Sequence, residues 1–408
     1  MKALVDELRT GGRPSPAALL DQLAPHFPLI DQMEDTPQDA EWHAEGNVRI
    51  HVERVIAETY LVLENEGADC DAEQQVALIL GAALHDIGKT LTTRKEERHG
   101  RIRVVSPFHT DRGRSYVAPR LPALNLVPET AKNVLGIIGR HHAPKSLVQR
   151  NAPVSAYFRL ARSLPPRLIY LVELADLRGR EMNGPDDAFE MLELFRLGAE
   201  ESGAWMTSDP YREWREVIFN EVDEAENPHY VLDEAIRDFE HHRIADPHAA
   251  IARTYEWRTD HPEVIVTCAP SGSGKSTWID RNCPDHERIS LDDIREELTG
   301  DRQDQSRNGE ALQLAKQRLR QHLRDRKRIV WDATTIRRDG RSIVIDLAHN
   351  YHAATRIVTF ATPPSIIAHR NRDRPHPVPK AIVERQFDRL QWPEVWEAHR
   401  VETIVDDA

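Results

Sequence analysis

Glu263-Val-Ile-Val-Thr-Cys-Ala-Pro-Ser-Gly-Ser-Gly-Lys-Ser-Thr277 decides how the second half of this chain folds. A short β-rich run enters a loop with two glycines and a lysine, and the apolar spacing then turns helical. In that setting Gly272 and Gly274 let backbone N–H groups converge on phosphates, Lys275 supplies a point charge, and Ser276 offers a hydroxyl to magnesium. Ser271, Ser273 and Thr277 complete the expected nucleotide cradle. The loop opens on Ala269 rather than glycine. A plain surface turn would not require strand, loop, lysine and helix in that order, so ATP or another NTP with Mg2+ is the expected cofactor.

Working outward, further β-rich runs recur at Arg328-Ile-Val-Trp331 and Arg356-Ile-Val-Thr-Phe360, with helical patterns between them. Strands alternating with helices predict a parallel α/β sheet. Before residue 250 the spacing is helical: Val48, Val52, Val55, Ile56 and Leu63 mark one helix, Val76, Leu80, Ala83, Leu84 and Ile87 a second, Val134, Leu135 and Ile138 a third, and Leu168, Leu171, Val172 and Ala175 a fourth. The expected architecture is multidomain: an all-α domain over 1–250, then an α/β P-loop domain over 258–408, joined through the polar stretch 246–261. No internal repeat interrupts this plan.

Past the phosphate loop, Ile289-Ser-Leu-Asp-Asp-Ile-Arg295 ends a strand and begins a helix. Asp292 and Asp293 fall in the first turn, where carboxylates are favoured and where an acid can take a proton from an attacking hydroxyl. Arg295 follows one turn later, placed to hold an acceptor phosphate. The competing explanation for the acids is helix capping. Asp332 closes the strand Ile329-Val-Trp-Asp beside the loop, followed by Thr334 and Thr335. The segment Arg370-Asn-Arg-Asp-Arg374 has the charge of a lid over a transferred phosphate. Arg318, Arg320, Arg324, Arg326, Lys327 and Arg328 form a basic run suited either to a nucleic-acid channel or to a solvated helix face.

The helical half carries a second constellation. His85 and Asp86 end an otherwise apolar helix in Leu84-His-Asp-Ile-Gly-Lys89, and Lys89 returns to their side a turn later. His51 shares the stripe of Val48, Val52 and Val55, and Asp176 that of Leu168 and Val172, where a buried polar group is costly without a partner. Two histidines and two carboxylates on three helices make a mixed N/O set for a divalent transition metal or magnesium. His109 and the pair His141 and His142 suit a second ion, although histidines at a helix end also complement its dipole. Two ions bridged by Asp86 would activate water and polarise a phosphate.

Composition limits the remaining classes. A formal net charge of −13 argues against a chain coated in nucleic acid while permitting local basic surfaces. No signal-peptide core and no long uncharged apolar run is present, so a cytoplasmic protein without membrane contact is expected. Three cysteines, Cys70, Cys268 and Cys283, have no close ligand spacing and read as packing residues of a reducing compartment.

Residues 260 to 400 resemble the polynucleotide 5′-hydroxyl kinase family in the loop 269–277, in Ser-Leu-Asp-Asp-Ile-Arg, in Asp332-Ala-Thr334, and in the Arg-rich lid followed by His376-Pro-Val-Pro. The resemblance implies Asp292 as general base, Arg295 on the acceptor phosphate, Lys275 and Ser276 on the donor, and Arg372 in the lid. Gluconate-type and toxin-type small kinases share part of the pattern. His51, His85-Asp86 and Asp176 are similar to the HD phosphohydrolase superfamily, and Asn47-Val-Arg-Ile-His and Ala175-Asp-Leu-Arg-Gly-Arg180 to HD domains attached to tRNA nucleotidyltransferases. Together the halves resemble the bacterial bifunctional RNA end-healing enzymes called HD-Pnk. That implies removal of 2′,3′-cyclic or terminal 2′/3′-phosphate, phosphorylation of 5′-hydroxyl ends of RNA or DNA, and a ligase acting afterwards. Two other functions stay open: a nucleoside or small-metabolite kinase fused to an HD nucleotidase, and an HD hydrolase gated by ATP at Lys275.

Overall fold

Asn47 and Asp71 start the helices that carry the first functional residues. Asn47 Oδ1 accepts a hydrogen bond from Ile50 N (3.0 Å) at the head of Val48–Asn65, and Asp71 and Gln74 cap each other reciprocally at the head of Ala72–Leu84. These caps appear in a computed structural model that describes residues 1–39, 46–98, 100–181, 186–302, 304–372 and 377–405. The chain divides into two compact units, Met1–Pro210 and Tyr211–Ala408.

In the first unit, Val48–Asn65, Ala72–Leu84, Pro128–Arg140 and Pro166–Gly179 pack around one core. Val52, Val55, Ile56, Leu80, Ile138 and Val172 are fully buried there, each contributing roughly 1.5–3 kcal/mol. The four expected helices are thus in place. One feature departs from an all-helical expectation: β1 (Arg94–Arg98) pairs antiparallel with β2 (Arg101–Val105). The sequence concealed this ribbon because Arg-Lys-Glu-Glu-Arg is mostly exposed and has no apolar alternation. Only backbone pairing marks it as a strand.

The second unit is built on a fully parallel sheet of β3 (Glu263–Cys268), β4 (Glu287–Ser290), β5 (Arg328–Asp332), β6 (Ala354–Ala361) and β7 (Arg400–Val405), in the order β4-β5-β3-β6-β7. β3 is central: the chain after it fills one side of the sheet with β4 and β5 and then crosses to the other side for β6 and β7. The crevice beyond its carboxyl end is therefore the topological switch point where α/β sheets bind ligands. Ile265, Val330, Val358 and Phe360 form part of the core against Ile279 of the following helix.

The boundary between units differs from the sequence expectation of 246–261. The helices Arg212–Glu221, Pro228–Glu240 and Pro247–Thr254 fall in the second unit. Tyr230 stacks on His261 at 3.9 Å, Trp257 stacks on His352 at 3.7 Å, and Glu234 pairs with His399 at 3.2 Å. Helical periodicity reveals a buried face but not the partner that buries it, which is why the switch of period near residue 260 did not mark the boundary. Among the described residues, no helix is long and apolar enough to cross a membrane.

Candidate functional sites

In the first unit polar residues from several helices and their ends meet at Asp86. Its Oδ2 lies 3.5 Å from His51 Nε2, 3.4 Å from His85 Nε2 and 2.6 Å from Lys89 Nζ; its Oδ1 lies 3.3 Å from His109 Nε2 and 3.8 Å from His141 Nε2. Asp176 Oδ1 closes the first set, 3.0 Å from His51 and 3.9 Å from His85. His142 joins the second set, its ring 4.3 Å from that of His141 and 5.1 Å from that of His109. One carboxylate therefore faces two histidine groups, one with each oxygen. Gly88 makes the approach feasible, because a Cβ there would lie 2.0 Å from His109 O.

The donor set fits divalent ions. His85, His109 and His141 each donate Nδ1–H to the carbonyl three residues earlier, Ala82, Ser106 and Ile138, at 2.8, 2.8 and 3.1 Å. A carbonyl can only accept, so a neutral ring keeps its lone pair on Nε2, and all three Nε2 atoms face Asp86. His85 Nε2 is buried without a hydrogen bond. Such an atom calls for a cation. The electrostatics agree: burial disfavours charge on His85, yet Asp86 and Asp176 raise its pKa, while Asp86 stays well below the usual carboxylate range because Lys89 and His85 outweigh its burial. Burial and the neighbouring His142 hold His141 well below its ordinary value. His142 lines the adjoining pocket, open to solvent yet crowded by protein, and that desolvation lowers it to about 3.

In the second unit the phosphate loop has the backbone its glycines allow, with φ of 91° at Gly272 and 88° at Gly274. Lys275 Nζ donates to the loop's own carbonyls at Ala269 (3.0 Å) and Pro270 (2.8 Å). The capping explanation for Asp292 is excluded. Ser290 is the N-cap, its Oγ accepting from Asp293 N at 3.2 Å, and Asp292 instead pairs with Arg295. Arg295 Nε also donates to Asn308 Oδ1 at 2.6 Å. Asp293 pairs with Arg302. Asp332 sits at the carboxyl end of β5 as expected, held by Arg288 Nε at 3.0 Å.

Residues 48–177 match the HD domain family, and residues 264–393 match an AAA domain family. The chain thus joins a region similar to HD domains to a P-loop region similar to AAA domains. A solved gluconokinase from Sinorhizobium meliloti 1021 is similar at 21% identity over 36% of this chain and 85% of its own, with a TM-score of 0.27. No curated protein matches.

Two expectations for the P-loop domain change. Arg372 hydrogen-bonds His369 at 3.0 Å, and it is Arg370 that reaches the loop, its Nη1 only 3.7 Å from where a Cβ on Gly274 would stand. Residues two apart on a helix point about 200° from each other, so only one of this pair can face the phosphates. Asp373, Arg374 and His376 lie outside the described residues. The basic run is also misplaced for a channel. Arg328 opens β5 beside Glu263, so it lies roughly 15 Å from the loop at the strand's other end. Arg318 pairs with Glu297, Arg326 with Asp260 and Arg328 with Glu263.

Sequence reasoning missed several groups. Arg180 pairs with Asp176 from the following turn and, with Gln38, Lys89 and Lys145, lines the pocket beside the HD histidines. Its place in Asp-Leu-Arg-Gly-Arg180, four residues after a buried acid, was the available signal. Glu173 lies one turn before Asp176, and burial together with Asp176 raises it well above the usual carboxyl range. In the P-loop domain, Gln386 Oε1 accepts from Ser271 N (2.7 Å) while its Nε2 donates to Ser271 Oγ (3.1 Å). No local pattern could have linked positions 115 residues apart.

Proposed function

We propose that this protein heals broken RNA ends, its HD domain removing a 2′,3′-cyclic or terminal 2′/3′-phosphate and its P-loop domain transferring the γ-phosphoryl group of ATP to a 5′-hydroxyl. The observation that carries the reading is the openness of the acceptor side: the Asp292 side chain is 66% exposed beside Arg295 at the head of its helix. A metabolite is normally engulfed by its site, whereas a strand end needs a carboxylate reachable from solution.

In the transfer step Asp292 takes the proton of the 5′-hydroxyl as its oxygen bonds to the γ-phosphorus and the bond to the β-phosphate oxygen breaks, releasing ADP. Lys275 turns from its loop carbonyls to the donor phosphates, and Ser276 supports Mg2+. Arg295 leaves Asp292 for the acceptor's phosphate, and Arg370 offsets charge spreading over the equatorial oxygens.

In the HD domain, His51, His85, Asp86 and Asp176 would hold one divalent ion, and Asp86, His109, His141 and His142 a second. The ions supply Lewis acidity and an activated water. The chain's own part is to orient those ligands through the backbone carbonyls of Ala82, Ser106 and Ile138 and to anchor the substrate phosphate on Lys89, Lys145 and Arg180. Ends treated by both domains are the substrates of a ligase.

The test is incubation of the purified chain with ATP, a divalent metal and an RNA bearing a 5′-hydroxyl and a 2′,3′-cyclic phosphate, with both termini analysed. A preference for a nucleoside over the oligonucleotide in direct competition would sink the reading in favour of a metabolite kinase. Hydrolysis stimulated by ATP without phosphoryl transfer would favour a nucleotide-gated hydrolase.

A further inference from the structure

Phe108 breaks three local rules at once. It is 77% exposed, a large aromatic without burial. Its φ is 56°, in the left-handed region that costs a residue with a bulky side chain energy and suits Gly or Asn. It is also the N-cap of the helix His109–Val117, where Ser, Asp or Asn would satisfy an orphan N–H and Phe satisfies none. Among the described residues, its ring stacks on nothing and meets no guanidinium. A position that sacrifices stability without packing in return is a candidate for function.

Its neighbours define that function. Ser106 and His109, on either side of it, line the HD pocket, and His109 Nε2 is 3.3 Å from Asp86. The cavity measures about 270 Å³ and is lined, among the described residues, by Lys89, Lys145, Arg180 and the rings of His109 and His142, with no Phe, Tyr or Trp. Pockets that engulf a drug-sized ligand run from about 300 to 1,000 Å³. This one takes a phosphate with its sugar and leaves a base at the rim. The ribbon leading to Phe108 adds exposed Lys95 and Arg101 for the strand's other phosphates, beside Arg94 and Arg98, which pair with Glu96.

We propose that Phe108 is the platform on which the terminal nucleobase of a nucleic-acid substrate stacks while its phosphate enters the HD pocket. The proposal rests on the RNA-end reading above. Stacking on an aromatic face tolerates every base, which suits breaks of arbitrary sequence.

Phe108→Asn removes the ring and relieves both the left-handed strain and the missing cap. It should raise the Tm of the chain by about 2–4 °C, while raising KM about tenfold for an oligonucleotide ending in 2′,3′-cyclic phosphate, with kcat held within about twofold. The same oligonucleotide with an abasic terminal ribose should be processed equally by both proteins. Phe108→Trp should restore a KM at or below that of the parent. An unchanged KM on a base-bearing end that the parent protein processes overturns the proposal alone, as does a fall in Tm or an equal loss of kcat on both substrates. Action on glycerol phosphate but on neither oligonucleotide overturns the RNA-end reading along with it.

Discussion

The two sites are assembled in opposite ways. In the HD domain, His51, His85, Asp86 and Asp176 are each no more than 2% exposed and already converge before any ligand arrives. In the P-loop domain the corresponding groups occupy one another: Lys275 its own loop, Arg295 Asp292, Arg288 Asp332. A metal cage has to be built by the fold, because unpartnered charges cannot be stored in a core. A phosphate loop that must admit a nucleotide stays near solvent, where charges idle in exchangeable pairs of little net worth.

The largest effects should come from removing a group each site cannot replace. Asp86→Asn should lower phosphate removal by more than about a hundredfold, since it serves both histidine sets, and leave 5′ phosphorylation intact. Asp292→Ala should lower transfer to a 5′-hydroxyl by about 10²–10⁴-fold and spare phosphate removal. Both follow from analysing the two termini of one RNA. A folded variant that lost both activities would break the contrast, because it would tie together sites that differ in construction.

Ligand addition sharpens it further. Mg-ATP at about a hundred times its Kd should stabilise the P-loop domain by about 2.7 kcal/mol and slow amide exchange most at residues 269–277, where Lys275 must change partners. Divalent metal should raise thermal stability of the HD domain while changing exchange little around residues 85–89, where the cage is already in place; chelation should reverse that gain. Large metal-induced protection at 85–89 would mean that the cage is not preformed.

A smaller effect separates the domains by pH. Burial with His399 nearby lowers His349 from 6.5 to about 2, and Glu234, despite its burial, is lowered from 4.5 to about 2 by His399 and Arg237. Below pH 6.5 the unfolded chain protonates His349 while the folded one does not, and below 4.5 the same holds for Glu234. Both contributions are complete at neutral pH and are lost as pH falls toward 2. Exchange protection of β7 and of the helix Pro228–Glu240 should therefore decline from about pH 6.5 downward, and His349→Gln should flatten the upper part of that decline. Constant protection down to pH 4 would refute the assignment.

The same contrast explains what the sequence could reveal. The phosphate loop is contiguous, so Gly272, Gly274 and Lys275 could be read in one glance, as could the parallel strands around them. His51, His85, Asp86 and Asp176, which the structure brings together, were legible because each interrupts or ends an apolar stripe, and a stripe predicts burial. Arg180 and Glu173 escaped because one flanks and the other lies within a helix whose pattern was already explained. Gln386 escaped because contact across more than a hundred residues leaves no periodic trace. The ribbon at β1 and β2 escaped because an exposed strand need not alternate, and the unit boundary because a helix does not announce which core it joins.

The basic run at Arg318 offers the smallest effect and the sharpest check on the open site. If Arg318 guided an acceptor strand, Arg318→Ala would weaken RNA binding and reduce its salt dependence by about one phosphate contact. The structure pairs it with Glu297 on the neighbouring helix, at a surface where such pairs contribute about 0–1 kcal/mol. The expected outcome is a KM for 5′-hydroxyl RNA within about twofold of the parent and an unchanged salt slope. Arg295→Ala, by contrast, should raise that KM severalfold, because its guanidinium stands beside Asp292, the proposed acceptor of the proton. Were the two variants to respond alike, the acceptor path would run along the 308–324 helix, and the openness of Asp292 would no longer distinguish a strand end from any other hydroxyl.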